Sequence, residues 1–139
     1  MTIDFDEFEE VELLNHSNIV YVIFYTKDSI TPVPFYVGET SRPYGRIADY
    51  LSAQFSASTD FKVGEAVKYL QELGFPVVLK FRKSDSRKYE EKLILDSLRC
   101  KFLLLNDLQG YDYTIADKGI ERKKVQEFIN QITTKNRIE

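Results

Sequence analysis

Two tyrosine-bearing tripeptides, Ile19-Val20-Tyr21 and Tyr36-Val37-Gly38, lie in the first third of a 139-residue chain, and Arg46 and the acidic pair Glu90-Glu91 follow them. These residue types bear on proton transfer and on the binding of anions. A phenol ordinarily titrates at about pH 10, so it works near neutrality only where positive charge favours its ionised form. A guanidinium offers planar donors that match phosphate or carboxylate oxygens. Each residue also has an ordinary use: strand tyrosines pack, and helical Arg or Glu side chains face water. Other site chemistries are scarce. His16 is the single histidine and Cys100 the single cysteine, which excludes a site built on two His ligands, an intramolecular disulfide framework and a thiolate metal cluster. His16, between Asn15 and Ser17, reads as a turn residue. Cys100, within Leu98-Arg99-Cys100-Lys101-Phe102-Leu103, reads as a small buried hydrophobe.

The pattern of apolar residues predicts the elements that would position this set. Phe5, Phe8, Val11 and Leu14, with acids between them, predict an amphipathic helix over residues 4–15. Ile19 to Tyr25 is β-branched, aromatic and almost continuously apolar, as a strand buried on both faces would be. Residues 27–34, with Pro32 and Pro34, read as a turn-rich connection to a second strand over Phe35-Tyr36-Val37-Gly38, close enough to pair with the first as a hairpin. Pro43 is suited to the first turn of a helix carrying Arg46, Ile47, Tyr50 and Leu51. A second helix is expected over 63–73, from Ala66, Val67, Leu70 and Leu73, ended by Gly74. A third strand is expected over 75–82. Ser86 would cap a helix bearing Tyr89, Glu90, Leu93, Ile94, Leu95 and Leu98. Leu103-Leu104-Leu105 enters a buried stretch closed by Asn106-Asp107. A last helix over about 119–134 would use Ile120, Val125, Phe128, Ile129 and Ile132. Tyr25, Tyr69 and Tyr89 read as packing residues.

The order α-β-β-α-α-β-α-α describes one small α/β domain: a three-stranded, mainly antiparallel sheet flanked by helices, with extra helices at both ends. A hydrophobic share of 43%, with nine Tyr and ten Phe, is ample for one core. There are no repeats, no low-complexity tracts and no apolar run of the roughly 18 residues a membrane span needs. The N-terminus lacks the basic start and apolar run of a secretory signal, so a cytoplasmic protein is expected. Net charge is −3, but Asp4, Asp6, Glu7, Glu9, Glu10 and Glu12 supply six negative charges before residue 17. Removing those six from the 22 acidic side chains leaves 16 against 19 basic ones, so the remainder is mildly positive. The acidic segment reads as a solvated helix face, or else as an arm that occludes or binds a partner.

The two tripeptides, the later arginine and the helical glutamate together resemble the GIY-YIG nuclease family. The resemblance covers about residues 18–107. Tyr21 matches the tyrosine of the first motif, and Tyr36 and Gly38 match the second. Arg46, eight residues beyond Gly38, falls where that family has its arginine, and Tyr50 where members carry histidine or tyrosine. Glu90-Glu91-Lys92-Leu93-Ile94 matches the family's Glu, two variable residues, Leu, Ile, and Asn106 its late asparagine. Leu93, on the helical side of Glu90, favours Glu90 over Glu91 in that register. The chain departs from the pattern in having Ile19 in place of the first glycine, a longer interval between the motifs, and a later asparagine.

The resemblance implies hydrolysis of DNA phosphodiester bonds with one Mg²⁺ or Mn²⁺ held by Glu90, a hard cation suited to carboxylate and water oxygens. On that reading Arg46 stabilises a non-bridging phosphate oxygen, Tyr21 is the general base, directly or through a water, and Tyr36 orients water or phosphate. Tyr50 and Asn106 complete the catalytic set. Gly38, Arg42, Tyr44, Lys83, Arg87 and Lys88 are expected near the substrate, with Lys80 and Arg82 in the same basic cluster. A second cluster, Lys118, Arg122, Lys123 and Lys124, lies near the last helix. One site cuts one strand, so a double-strand break needs a homodimer or two binding events. The rival expectations are a binding module of the same fold without catalysis, and a protein-interaction domain that docks its partner through the acidic N-terminal segment.

Overall fold

The computed structural model describes residues 2–4, 18–28, 31–42, 58–108 and 118–134. In chain order the elements are strands β1 (Thr2–Asp4), β2 (Ile19–Thr26) and β3 (Pro32–Thr40), helix α1 (Ser58–Glu72), strand β4 (Val77–Lys83), helix α2 (Arg87–Arg99), a 3-10 turn (Leu105–Asp107) and helix α3 (Lys118–Thr134). The sheet order is β1-β4-β2-β3. Its β4-β2-β3 portion is the expected three-stranded antiparallel sheet, with β2 at the centre. β1 is an addition: Thr2, Ile3 and Asp4 run parallel to β4 opposite Val78, Leu79 and Lys80. Asp4, expected to start a helix, therefore belongs to a strand. Residues 5–15 of that expected helix, and the helix expected from Pro43, lie outside the described residues.

β3 is longer than expected and takes in Pro32 and Pro34, opposite Thr26 and Phe24. Proline lacks the ladder donor and is accepted where a strand is paired on one side only, and β3 is an edge strand of the described sheet. The register shifts between Ile23 and Phe24, leaving Phe35 as the extra residue.

Alternation along β2 sorts the side chains into two layers. Ile19, Tyr21, Ile23 and Tyr25 join Leu79 and Phe81 of β4, Val67 and Leu70 of α1, and Ile129 and Ile132 of α3 in the larger cluster. Val22 and Val37 face the other way, toward Ile94, Leu95 and Leu98 of α2 and Leu104. So α1 and α3 cover one face of the sheet, and α2 covers the other.

The helix ends are set by local chemistry. Gly74 has φ +88°, and α1 stops there. The Gly74 N–H donates to the Gln71 carbonyl and the Phe75 N–H to the Leu70 carbonyl, each at 3.0 Å, a pairing that satisfies two terminal carbonyls. Ser86 occupies the N-cap of α2, but its side chain makes no capping bond; instead its N–H donates to Ser84 Oγ at 3.2 Å.

Several expected core residues are not in the core. Tyr89 is 65%, Leu93 51% and Ile120 57% exposed, and Leu73 lies past the end of α1 at 42%. Cys100 is exposed as well, with Sγ donating to the Asp96 carbonyl at 3.4 Å. On α2 the stripe formed by Ile94, Leu95 and Leu98 meets the sheet, and one helix face cannot also bury Tyr89 and Leu93. Tyr25 is fully buried as expected, and Tyr69 is half-buried with its hydroxyl donating to Asn130 Oδ1 at 2.8 Å. No helix among the described residues is long and apolar enough to cross a membrane.

Tyr25 fastens the sheet to α3. Its hydroxyl donates to the Ile132 carbonyl at 3.0 Å, in the last turn of that helix where intrahelical donors run out. Tyr25→Phe keeps the ring and strands that carbonyl. The variant should lose about 1–2 kcal/mol of stability in urea unfolding, with an unchanged denaturant slope.

Candidate active site

Tyr21 and Gly38 are direct cross-strand partners in the β2–β3 ladder. The Tyr21 ring lies across Gly38 so closely that a Cβ there would fall 2.3 Å from Cζ and 2.4 Å from the hydroxyl oxygen. Gly38 is therefore required by the tyrosine opposite it, not by its own backbone angles. Tyr36 pairs with Ile23 and points to the same face, its ring centre 6.3 Å from that of Tyr21 at an interplanar angle of 40°. Both tyrosines are almost wholly buried, Tyr21 at 3% and Tyr36 at 6% exposure.

Asn106 is brought to the same motif from the 3-10 turn. Its Oδ1 accepts from the Val37 N–H at 3.0 Å and its Nδ2 donates to the Val37 carbonyl at 2.7 Å. The side-chain amide thus mimics one residue of a neighbouring strand on the outer edge of β3, between Tyr36 and Gly38. Both halves of that amide are engaged with backbone, so Asn106 positions the tyrosine motif.

The glutamates of α2 stand elsewhere. Glu90 Oε2 lies 3.4 Å from Arg82 Nη2. Arg82 alternates with buried Phe81 and so projects on the α2 face, whereas Tyr21 and Tyr36 belong to the cluster under α1 and α3. Glu91 is partly buried: burial raises its pKa, and the nearby Glu39 carboxylate raises it further. Glu39 is in turn ion-paired with Arg87 Nε, and Arg87 Nη1 donates to Asn18 Oδ1 at 3.3 Å. Arg87 is thereby occupied in tying the start of α2 to the end of β3 and the start of β2.

Among the expected site residues, then, Tyr21, Tyr36, Gly38 and Asn106 come together. Glu90 comes together with Arg82, at the same end of the sheet but on its other side. Arg46, Tyr44 and Tyr50 lie outside the described residues. Lys88 is exposed on α2, and Lys83 alternates away from Arg82 at the end of β4. Arg42 is exposed just past β3, its backbone N–H donating to Thr40 Oγ1 at 2.9 Å. Glu39 and Asn18 were not anticipated. The position of Glu39 directly after the Tyr36-Val37-Gly38 motif was the one available signal.

The described residues contain no group of three or more Asp, Glu, His or Cys side chains able to enclose a metal. A single hard cation that keeps most of its water ligands needs less. The Glu90 side chain is 30% exposed, and its pairing with half-exposed Arg82 is of a kind worth about 1 kcal/mol or less, so a divalent ion can displace it. The donor chemistry fits one such ion on one carboxylate. No protein-family model matches the chain, and neither curated proteins nor solved structures provide a match.

Two outcomes follow from these contacts. Gly38→Ala forces the buried Tyr21 ring to move and should destabilise the chain by about 1–3 kcal/mol, with a much smaller loss in a Tyr21→Ala background. A double-mutant cycle by chemical denaturation reads the coupling directly. Glu91 binds its proton more tightly folded than unfolded, so the stability tied to that proton is full below the ordinary carboxylate pKa. It is lost as pH rises through the raised value. Glu91→Gln should accordingly be more stable than the parent at pH 7, with the gain vanishing below about pH 4. Unfolding midpoints across that range measure it.

Proposed function

We propose that the chain is a divalent-metal-dependent endonuclease of the GIY-YIG type, hydrolysing DNA phosphodiester bonds. The observation that carries this reading is the Tyr21 ring laid across Gly38 with Tyr36 beside it. Two motifs that are separate in sequence become one constellation, and the glycine of the second is explained by the tyrosine of the first. In this reading Tyr21 accepts a proton from the attacking water, directly or through a second water, and the Tyr36 hydroxyl orients water or phosphate. Arg46 holds a non-bridging oxygen while charge accumulates on it. Glu90 would hold one Mg²⁺ or Mn²⁺, which would supply Lewis-acid stabilisation of the leaving oxygen. Asn106 acts on the chemistry only through the motif it fixes.

A second reading has its own support. The sheet lies between the tyrosines and Glu90, and Glu90 already has a cationic partner in Arg82. A module that binds nucleic acid without cutting it would have these features. The two readings differ in one assay, the conversion of supercoiled plasmid and branched DNA with Mg²⁺ or Mn²⁺. The nuclease reading expects metal-dependent nicking that drops by at least about 100-fold in Tyr21→Phe, the scale of a lost general base, and disappears in Glu90→Ala. Binding of the same DNA in EDTA, with no cutting under either ion, would favour the module. Full activity in Tyr21→Phe would remove the base assignment.

A further inference from the structure

The described residues do not fully cover the face of the sheet under α2. A groove of about 190 Å³ runs between β2, β4 and α2, lined by Val20, Val22, Phe24, Lys80, Arg82 and Ile94, and bordered by Tyr21 and Phe81. Tyr21 borders it from β2, while the Tyr21 and Tyr36 rings pack in the opposite layer. Its walls are apolar and its charged lining residues are cationic. Lys80 and Arg82 are two apart on β4 and project to the same side. The Lys80 ammonium stands 5.7 Å from the centre of the half-buried Phe24 ring, so positive charge and a π-face occupy one wall. Arg82 is half exposed, and its link to Glu90 is a surface pair that a phosphate can replace.

We infer that this groove binds a single strand of nucleic acid, taking an unpaired base against Phe24, Val22 and Ile94 and the flanking phosphates at Lys80 and Arg82. The inference rests on the reading of the chain as a protein that acts on nucleic acid. Apolar floor and cationic rim together select this occupant. A duplex keeps its bases stacked inside and offers a narrow groove little except phosphate, leaving the Phe24 wall unused. A single strand offers both a π-face and a negative backbone, the combination that sequence-tolerant single-strand sites exploit. Because Arg82 touches Glu90, a strand lying along the groove passes beside the residue assigned to the metal. That places an unpaired arm, as at a branch or flap, next to the proposed site of cutting.

The test is fluorescence anisotropy of a labelled twelve-nucleotide oligo-dT and a hairpin duplex of the same charge, titrated with the full chain in EDTA. The absence of divalent metal separates this measurement from cleavage, so the groove can fail while the plasmid assay succeeds, and the reverse. The expected result is preference for the single strand, at least tenfold weaker binding in Lys80→Ala/Arg82→Ala, and a salt dependence whose log–log slope is shallower by about 1.4, the signature of two lost phosphate contacts. Phe24→Leu, which keeps the apolar volume and removes the aromatic face, should weaken the single strand more than the duplex. Equal affinity for the two DNAs, binding unchanged in the double variant, or no binding of oligo-dT would each overturn the inference.

Discussion

The missing Cβ of Gly38 is the constraint on which the arrangement turns. It lets the Tyr21 ring lie flat across the neighbouring strand, and any other residue would place an atom 2.3 Å from that ring. The contact also fixes how β2 and β3 are aligned. A slip of one residue would put Val37 under the ring and turn every side chain of β3 to the other face. Phe35 and Tyr36 would leave the layer formed with α1 and α3, and Asn106 would lose the backbone groups at Val37 that it fits. One absent methyl thus holds together a local packing contact, a strand register and the relation of both tyrosines to the turn behind them.

The sheet that results has two unlike sides. Under α1 and α3 it is apolar and aromatic, with Tyr21, Tyr25, Phe35 and Tyr36 in one buried layer. Under α2 it mixes a small apolar cluster with charge: Arg82 on Glu90, Arg87 on Glu39, and Glu91 held in its neutral form to higher pH than usual. The difference traces to β4, whose inward residues Val77, Leu79 and Phe81 are apolar while Lys80 and Arg82 alternate with them. A strand with that pattern can face a core on one side only, and α2, touching mainly β3 and β2, leaves a groove over the far part of that face among the described residues.

Much of this was legible in the sequence where a single signal was long or unambiguous. The run from Ile19 to Tyr25 has the composition of a central strand, and Gly74 ends α1 where the periodicity stops. Tyr21, Tyr36 and Gly38 could be grouped because a hairpin places them together. The rest failed for identifiable reasons. Thr2–Asp4 is too short to show a period. Pro32 and Pro34 signal a turn unless it is known that their strand lies at an edge. α2 carries two apolar stripes, and only tertiary structure decides that Ile94, Leu95 and Leu98 face inward while Tyr89 and Leu93 do not. The bond between Asn106 and Val37 spans 69 residues, and the ties of Arg82 to Glu90 and Arg87 to Glu39 depend on how helix and sheet dock. Local spacing carries no trace of such pairings.

The outer margin of β3 has a consequence for assembly. An outermost strand normally offers a ladder of donors and acceptors to which another chain can add a strand. Here Pro32 and Pro34 supply no donor, the register irregularity beside Phe35 breaks the ladder's repeat, and Asn106 already fills both groups of Val37. A second copy cannot extend the sheet through this border without displacing the asparagine that steadies Tyr36 and Gly38. Pairing of two such molecules along this margin is therefore directed to side-chain surfaces, and continuous sheet formation across β3 is closed off by the same residues that hold the tyrosines in place.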